Sequence, residues 1–186
     1  MSNWYVSQSL TFESDKITID GVGDEVMMDW EHSIMSASAA YVTEGGGDIL
    51  EIGFGMGISA GYIQSHSINS HTIVENHPQI IEKAKAWALD KPNVTIIEGS
   101  WLDKLSELST YNGVFCDTYG DADVYSFGDS LSDLVKTGGV ATWWNAKNEA
   151  SNIWGLDGVE YEEIQIEAPD NSYCKQDVYY LPKKQF

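Results

Sequence analysis

Arginine is absent from this 186-residue chain, and all ten of its basic side chains are lysines. Against 29 Asp and Glu they leave a formal net charge of −19. A surface of that sign repels phosphate backbones and anionic lipid, so neither nucleic acid nor membrane is an expected partner. The charge serves solubility, and it also favours a small cationic substrate. Cysteine is scarce too. Cys116 lies in an apolar run and Cys174 near the C-terminus, with no C-x-x-C and no framework of pairs. Free thiols suit a reducing compartment. No apolar run approaches membrane-spanning length, and no signal-peptide pattern opens the sequence. The expectation is a soluble cytoplasmic protein, with monomer and homodimer both open. The four histidines (His32, His66, His71, His77) show no metal-ligand spacing, so no metal is expected.

What is present describes a folded globule. The apolar fraction is 42%, with 7 Trp, 10 Tyr and 5 Phe. That length suits one domain, with residues 1–44 as an N-terminal lid and helix and residues 45–186 as the core. Repeats, low-complexity segments and linkers are lacking. Leu10, Phe12, Ile17 and Ile19 alternate with polar residues and predict a short hairpin before Gly21-Val22-Gly23. From Asp24 to about Val42 the apolar spacing predicts a helix. Five strands then alternate with helices. The strands cover Asp48–Ile52, His71–Glu75, Asn93–Glu98, Tyr111–Asp117 and Val140–Asn145. The helices are placed at Ile58–Gln64, Ile80–Leu89, about Leu102–Leu108 and Ser130–Lys136, with a short one near Asn148–Trp154. Val159–Ala168 and Lys175–Pro182 predict a closing antiparallel pair. The fold class is α/β: a doubly wound, mostly parallel sheet of seven strands, ending in that pair and preceded by the lid.

The chain turns on Asp48-Ile49-Leu50-Glu51-Ile52-Gly53-Phe54-Gly55-Met56-Gly57-Ile58. A buried strand runs into a glycine turn and then a helix. The second strand ends in Glu75, followed by Asn76. A Gly-rich first turn with an acid at the tip of the second strand is the layout of a nucleoside cofactor site, the acid accepting bonds from ribose hydroxyls. A dinucleotide fold wants G-x-G-x-x-G, and Ile58 stands where the third glycine belongs, which counts against NAD. Ligands in such sheets bind at the carboxyl ends of the strands. That places the glycine turn, Glu75, Ser100 and Trp101, Asp117 and Asn145 together. Asp117 closes an apolar strand, where an unpaired carboxylate is costly. A cationic substrate would partner it. Glu31 is the second acid, and its spacing alone leaves it either a site residue or a helix-surface acid. Two carboxylates can hold the planar N–H fork of a guanidinium, and one can take a proton released from it.

Several stretches carry a family resemblance. They are Val26-Met27-Met28-Asp29-Trp30-Glu31 with Met35, Leu50-Glu51-Ile52-Gly53-Phe54-Gly55-Met56, Glu75, Glu98-Gly99-Ser100-Trp101 and Phe115-Cys116-Asp117-Thr118-Tyr119. The segment Leu134 to Val140 fits as well. Over roughly residues 24–145 the chain resembles guanidinoacetate N-methyltransferase, a class I S-adenosylmethionine (SAM) methyltransferase, and its relative the fungal arginine δ-N-methyltransferase. The resemblance implies a SAM site lined by Met27, Met35, Gly53, Phe54, Gly55, Met56, Gly57 and Ile58. It implies that Glu75, with Asn76, holds the ribose, and that Ser100 and Trp101 flank the adenine. Glu31 and Asp117 would grip the substrate guanidinium, Asp117 as proton acceptor, with Tyr119 nearby. A family tryptophan closes over the site, and Trp4 is the candidate. The substrate carboxylate would meet the amides of Ala146 and Lys147, the Lys147 side chain being either a direct contact or a surface lysine. Gly120–Asp129 and Trp143–Lys147 depart from the family pattern. The expected activity is SAM-dependent N-methylation of a small guanidino compound, guanidinoacetate first. The alternatives are another guanidine or amine such as arginine, or SAM binding without turnover.

Overall fold

A computed structural model describes residues 4–146, 156–167 and 170–186. The predicted helix at Asn148–Trp154 and the residue Lys147 lie outside them. The N-terminal segment forms a three-stranded antiparallel sheet in the order β1 (Leu10–Phe12), β2 (Lys16–Ile19), β3 (Glu25–Met28). The hairpin is as expected, but the third strand replaces the start of the predicted helix. Met27 pairs with Ile17, so the Val26-Met27-Met28 backbone finds its partners in β2. A 3₁₀ turn, Asp29–Glu31, follows, and Glu31 Oε1 accepts the Met28 N–H at 2.8 Å. That capping bond satisfies a donor at the turn's start. The helix proper, α1, runs only from His32 to Thr43. Glu31 therefore sits in a tight corner and is buried, not carried on an open helix face.

The central sheet has seven strands: β4 (Asp48–Ile52), β5 (Ser70–Glu75), β6 (Val94–Glu98), β7 (Tyr111–Cys116), β8 (Val135–Trp143), β9 (Val159–Gln165) and β10 (Val178–Gln185). Their order is β6-β5-β4-β7-β8-β10-β9. The first five pair in parallel, and β10 runs antiparallel to both β8 and β9. Helices α2 (Ile58–Gln64), α3 (Pro78–Ala88) and α4 (Phe127–Leu134) make the crossovers after β4, β5 and β7. The β6–β7 connection was expected to hold a helix over Leu102–Leu108 and holds only a 3₁₀ turn, Leu105–Glu107. So short a segment does not recover the cost of nucleating an α-helix. Gly138 and Gly139 lie inside β8, where its register on β7 shifts, so the strand begins before them at Val135 and not at Val140.

Alternation along the strands divides the core between the two faces. Leu50, Ile52, Val114 and Cys116 pack with Phe127, Leu131 and Trp143. Ile49 and Phe115 pack with Ile34, Met35 and Ala39 of α1 on the other side. Strand β4 is flanked by β5 on one side and β7 on the other, which makes the β4/β7 boundary the topological switch. Register places the site. Ile52 pairs with Val74 and with Cys116, so Gly53, Glu75 and Asp117 emerge side by side. The Gly53 N–H donates to Val74 O at 2.9 Å and the Asp117 N–H to Ile52 O at 2.8 Å. Among the described residues no helix is long and apolar enough to cross a membrane.

Candidate active site

An open cleft of about 930 Å³, mouth included, lies over the carboxyl ends of β4, β5 and β7. On one side it is floored by the glycine turn. Gly53 has φ 92°, and a Cβ there would collide with the Asp117 carbonyl oxygen, so only glycine lets the two strand ends lie together. Gly55 is similarly crowded by Met27 Sδ, which accepts the Met56 N–H at 3.2 Å. Met27 of β3 thus clamps the turn from the lid side. Glu51, in the strand that leads to the turn, is fully buried: Ser59 donates to its Oε1, and His71 Nε2 lies 2.8 Å from Oε2.

Glu75 closes this half. Its Oε2 accepts the Phe54 N–H at 2.9 Å, and its Oε1 accepts the N–H groups of Asn76 and His77, each at 2.8 Å. Burial raises its pKa, and the bonding amides oppose the rise. A carboxylate oxygen accepts more than one hydrogen bond, so Glu75 can still take a ribose hydroxyl. Val74, Ile80 and Trp101 supply apolar wall beyond it. Trp101 is buried and its indole N–H donates to Asp121 Oδ2 at 3.1 Å. The turn without Cβ atoms, the buried acid and the apolar wall fit an adenosine-bearing cofactor.

The other half of the cleft is acidic. Asp117 is half-buried on its wall. Burial pushes its carboxyl well above the usual range, and the charges of Glu31, Glu51 and Glu75 push the same way. Burial pushes Glu31 up to about 7, against the hydrogen bonds from Tyr173 and the Met28 amide. Glu25 and Asp121 also line the cleft, and among its described lining residues there is no lysine or histidine. Carboxylates collected this way without a counter-ion call for a cationic ligand.

The expected residues separate into two sets. Glu31, Gly53, Phe54, Gly55, Glu75, Asn76, Trp101, Asp117, Tyr119 and Met27 all line the cleft. Met35 is fully buried in α1 within the core, and Met56 and Ile58 pack there as partly buried side chains. Gly57 is the N-cap of α2, and a Cβ there would meet the Phe54 ring. Ser100 donates to Asp123 at 2.8 Å. Asn145 is held by β10, its N–H donating to the Tyr179 hydroxyl and its side-chain amide to Tyr180 O. Ala146 is exposed just past β8. Trp4 is 53% exposed, and the aromatic over the cleft is its neighbour Tyr5. Tyr5 is held by ring contacts with Tyr119 at 5.1 Å and His77 at 4.8 Å. The one-residue difference follows from the 3₁₀ turn Tyr5–Ser7, which directs only one of two adjacent aromatics inward. Sequence reading also missed Glu25, Asp121, Trp144 and Tyr173. Asp121 was signalled by its place just after Asp117-Thr118-Tyr119-Gly120, but nothing local marks Tyr173.

Sheet order, glycine turn and strand-end acid together give the fold of class I SAM-dependent methyltransferases. Similar solved structures show the same fold. A spermidine synthase bound to a transition-state analogue has a TM-score of 0.68 at 12% identity, covering 91% of this chain and 64% of that one. Precorrin-6y C5,15-methyltransferase from Geobacter metallireducens has 0.63 at 14%, covering 92% and 93%. The family model for guanidinoacetate N-methyltransferase matches residues 2–170, and the chain belongs to that family. Similar relatives include proteins named protein arginine N-methyltransferase 2. The one from Aspergillus fumigatus is 39% identical over 89% of this chain and 44% of its own length. Those from Aspergillus oryzae and Saccharomyces cerevisiae are each 33% identical, over 91% and 76% of this chain and 46% and 37% of their own. The chain spans less than half the length of these curated relatives.

Proposed function

We propose that this chain methylates a nitrogen of a small guanidino compound, with guanidinoacetate as the first acceptor. The observation that carries the reading is the meeting of Glu31 and Asp117 in one cleft, beside the glycine turn, with no basic side chain among the described lining residues. A guanidinium brings a planar fork of N–H donors and a positive charge. Either carboxylate can accept from it, and the charge favours the ionised form of both. SAM, when bound, supplies an electrophilic methyl on a sulfonium. Glu31 and Asp117 orient the acceptor nitrogen, and Asp117 takes the proton that nitrogen loses. Glu75 and Asn76 hold the ribose end, Gly53 to Gly55 let the cofactor lie close to the backbone, and Trp101 bounds the base. Tyr5, not Trp4, covers the cleft.

A second reading is supported by the relatives named protein arginine N-methyltransferase 2: the acceptor is arginine, free or in a polypeptide. We read the chain as one methyltransferase domain. Its free, buried Cys116 and Cys174 suit a cytoplasmic setting. A mass-spectrometric screen tests the function directly. Protein and SAM are incubated with guanidinoacetate, arginine, agmatine and an arginine-containing peptide. A singly methylated guanidino product is expected. SAM binding by calorimetry, with no methylated product from any acceptor, would instead make this a binding protein without turnover.

A further inference from the structure

Tyr173 reaches the cleft from the far end of the chain. Its hydroxyl donates to Glu31 Oε1 at 2.6 Å, across 142 residues of sequence. The segment that carries it is tightly built. Asn171 is buried, and its Oδ1 accepts the N–H groups of Tyr173 and Cys174 at 2.9 and 2.6 Å. Ser172 is tied to Glu25 of β3 through both its N–H and its hydroxyl. The Tyr173 ring lies against Trp30 and Trp144, with centroids 5.8 and 6.1 Å away. A strap, residues 171–174, thus brings Tyr173 to the cleft wall and is fastened to the lid at Glu25 and Glu31. Glu31 Oε1 already accepts the Met28 N–H, so these two donors occupy that oxygen and leave Oε2 for a ligand.

Resting on the guanidino reading above, we infer that Tyr173 is a positioning residue for the acceptor: it fixes the Glu31 carboxylate so that one oxygen is offered to the guanidino N–H groups. The titratable groups facing Glu31 are Asp117 at the end of β7, Tyr179 on β10 and Tyr173 itself. Asp117 opposes ionisation of Glu31, whereas the Tyr173 hydroxyl favours it by donating to the charged form. Removing the hydroxyl leaves the ring packed against Trp30 and Trp144, so Tyr173→Phe should still unfold in one cooperative transition.

The test has two readouts. The first follows the side-chain carboxyl resonance of Glu31 with pH in ligand-free protein, assigned with Glu31→Gln. In Y173F its midpoint should rise by about one pH unit, the size expected for a lost hydrogen bond to a charge. The second is calorimetry with guanidinoacetate and with arginine in the presence of S-adenosylhomocysteine. Y173F should weaken acceptor binding about tenfold, and in an E31Q background it should change it less than about twofold. S-adenosylhomocysteine affinity should stay unchanged throughout. An unmoved Glu31 midpoint overturns the inference, as does an equal loss in the E31Q background or a parallel loss of S-adenosylhomocysteine affinity. If the wild type binds neither compound, the acceptor reading itself fails, and the Glu31 midpoint then decides whether Tyr173 governs that carboxylate.

Discussion

The two halves of the cleft are built on opposite terms. The cofactor half comes mainly from one stretch, residues 48–80, with Trp101 added to its wall and Met27 clamping the turn from outside. Its main acid, Glu75, accepts three backbone amides from its own strand end and the neighbouring turn. The acceptor half is assembled from Glu31, Asp117 and Tyr173, which no short segment could bring together. There the acids oppose one another, and burial holds both carboxyls toward their protonated forms. The first half is complete before any ligand arrives. The second is an arrangement of acids whose cost of ionisation a cation would offset.

If that division is right, the halves should separate under mutation. Asp117→Ala should lower methyl transfer to the guanidino acceptor by about 10²–10⁴-fold, the range for a removed acid–base group. Its SAM affinity, read by calorimetry, should barely change. Wild-type turnover in this variant would end the assignment of Asp117. Gly53→Ala attacks the seam between the halves, since the added Cβ meets the Asp117 carbonyl at a positive φ. It should cost more than about 3 kcal/mol in urea unfolding and impair both ligands together. Glu75→Gln should weaken SAM by about 10–100-fold, because one oxygen facing N–H donors becomes an NH₂, while acceptor binding is spared.

Changing the pH tests the acidic half through stability. The Glu31 carboxyl is raised from 4.5 to about 7 in the fold, and Asp117 moves the same way. A raised acid holds its proton more tightly folded than unfolded. Its contribution is therefore full below pH 4.5 and is lost as the pH rises toward 7. Ligand-free protein should lose roughly 3 kcal/mol over that window in chemical denaturation. A bound guanidino cation should flatten the slope, and an unchanged slope would show that the acids are already neutralised by something else.

Much of this was legible from residues alone, and the misses share a cause. The strand–turn–helix at residues 48–64 and the acid at Glu75 follow from apolar runs, glycine spacing and chain order, all of them local. The predicted helix from Asp24 failed at Val26-Met27-Met28, where apolar spacing suits either a helix or a strand edge. The partner strand β2 decided it. Met35 read as a cofactor contact because methionines at helical spacing look alike whichever way they face, and α1 turns this one into the core. Trp4 and Tyr5 are adjacent aromatics, and only the turn that holds them selects which one enters the cleft.

The sequence by itself determined the alternation of strands and helices, the cofactor turn and the acidic character of the whole chain. Those depend on composition and on contacts between neighbours along the chain. Tertiary structure decided that Glu31 is buried, that it faces Asp117, and that Tyr173 holds it. Pairings across 86 and 142 positions leave no periodic trace in a single chain; they exist only once the β4/β7 boundary and the strap have brought the segments together.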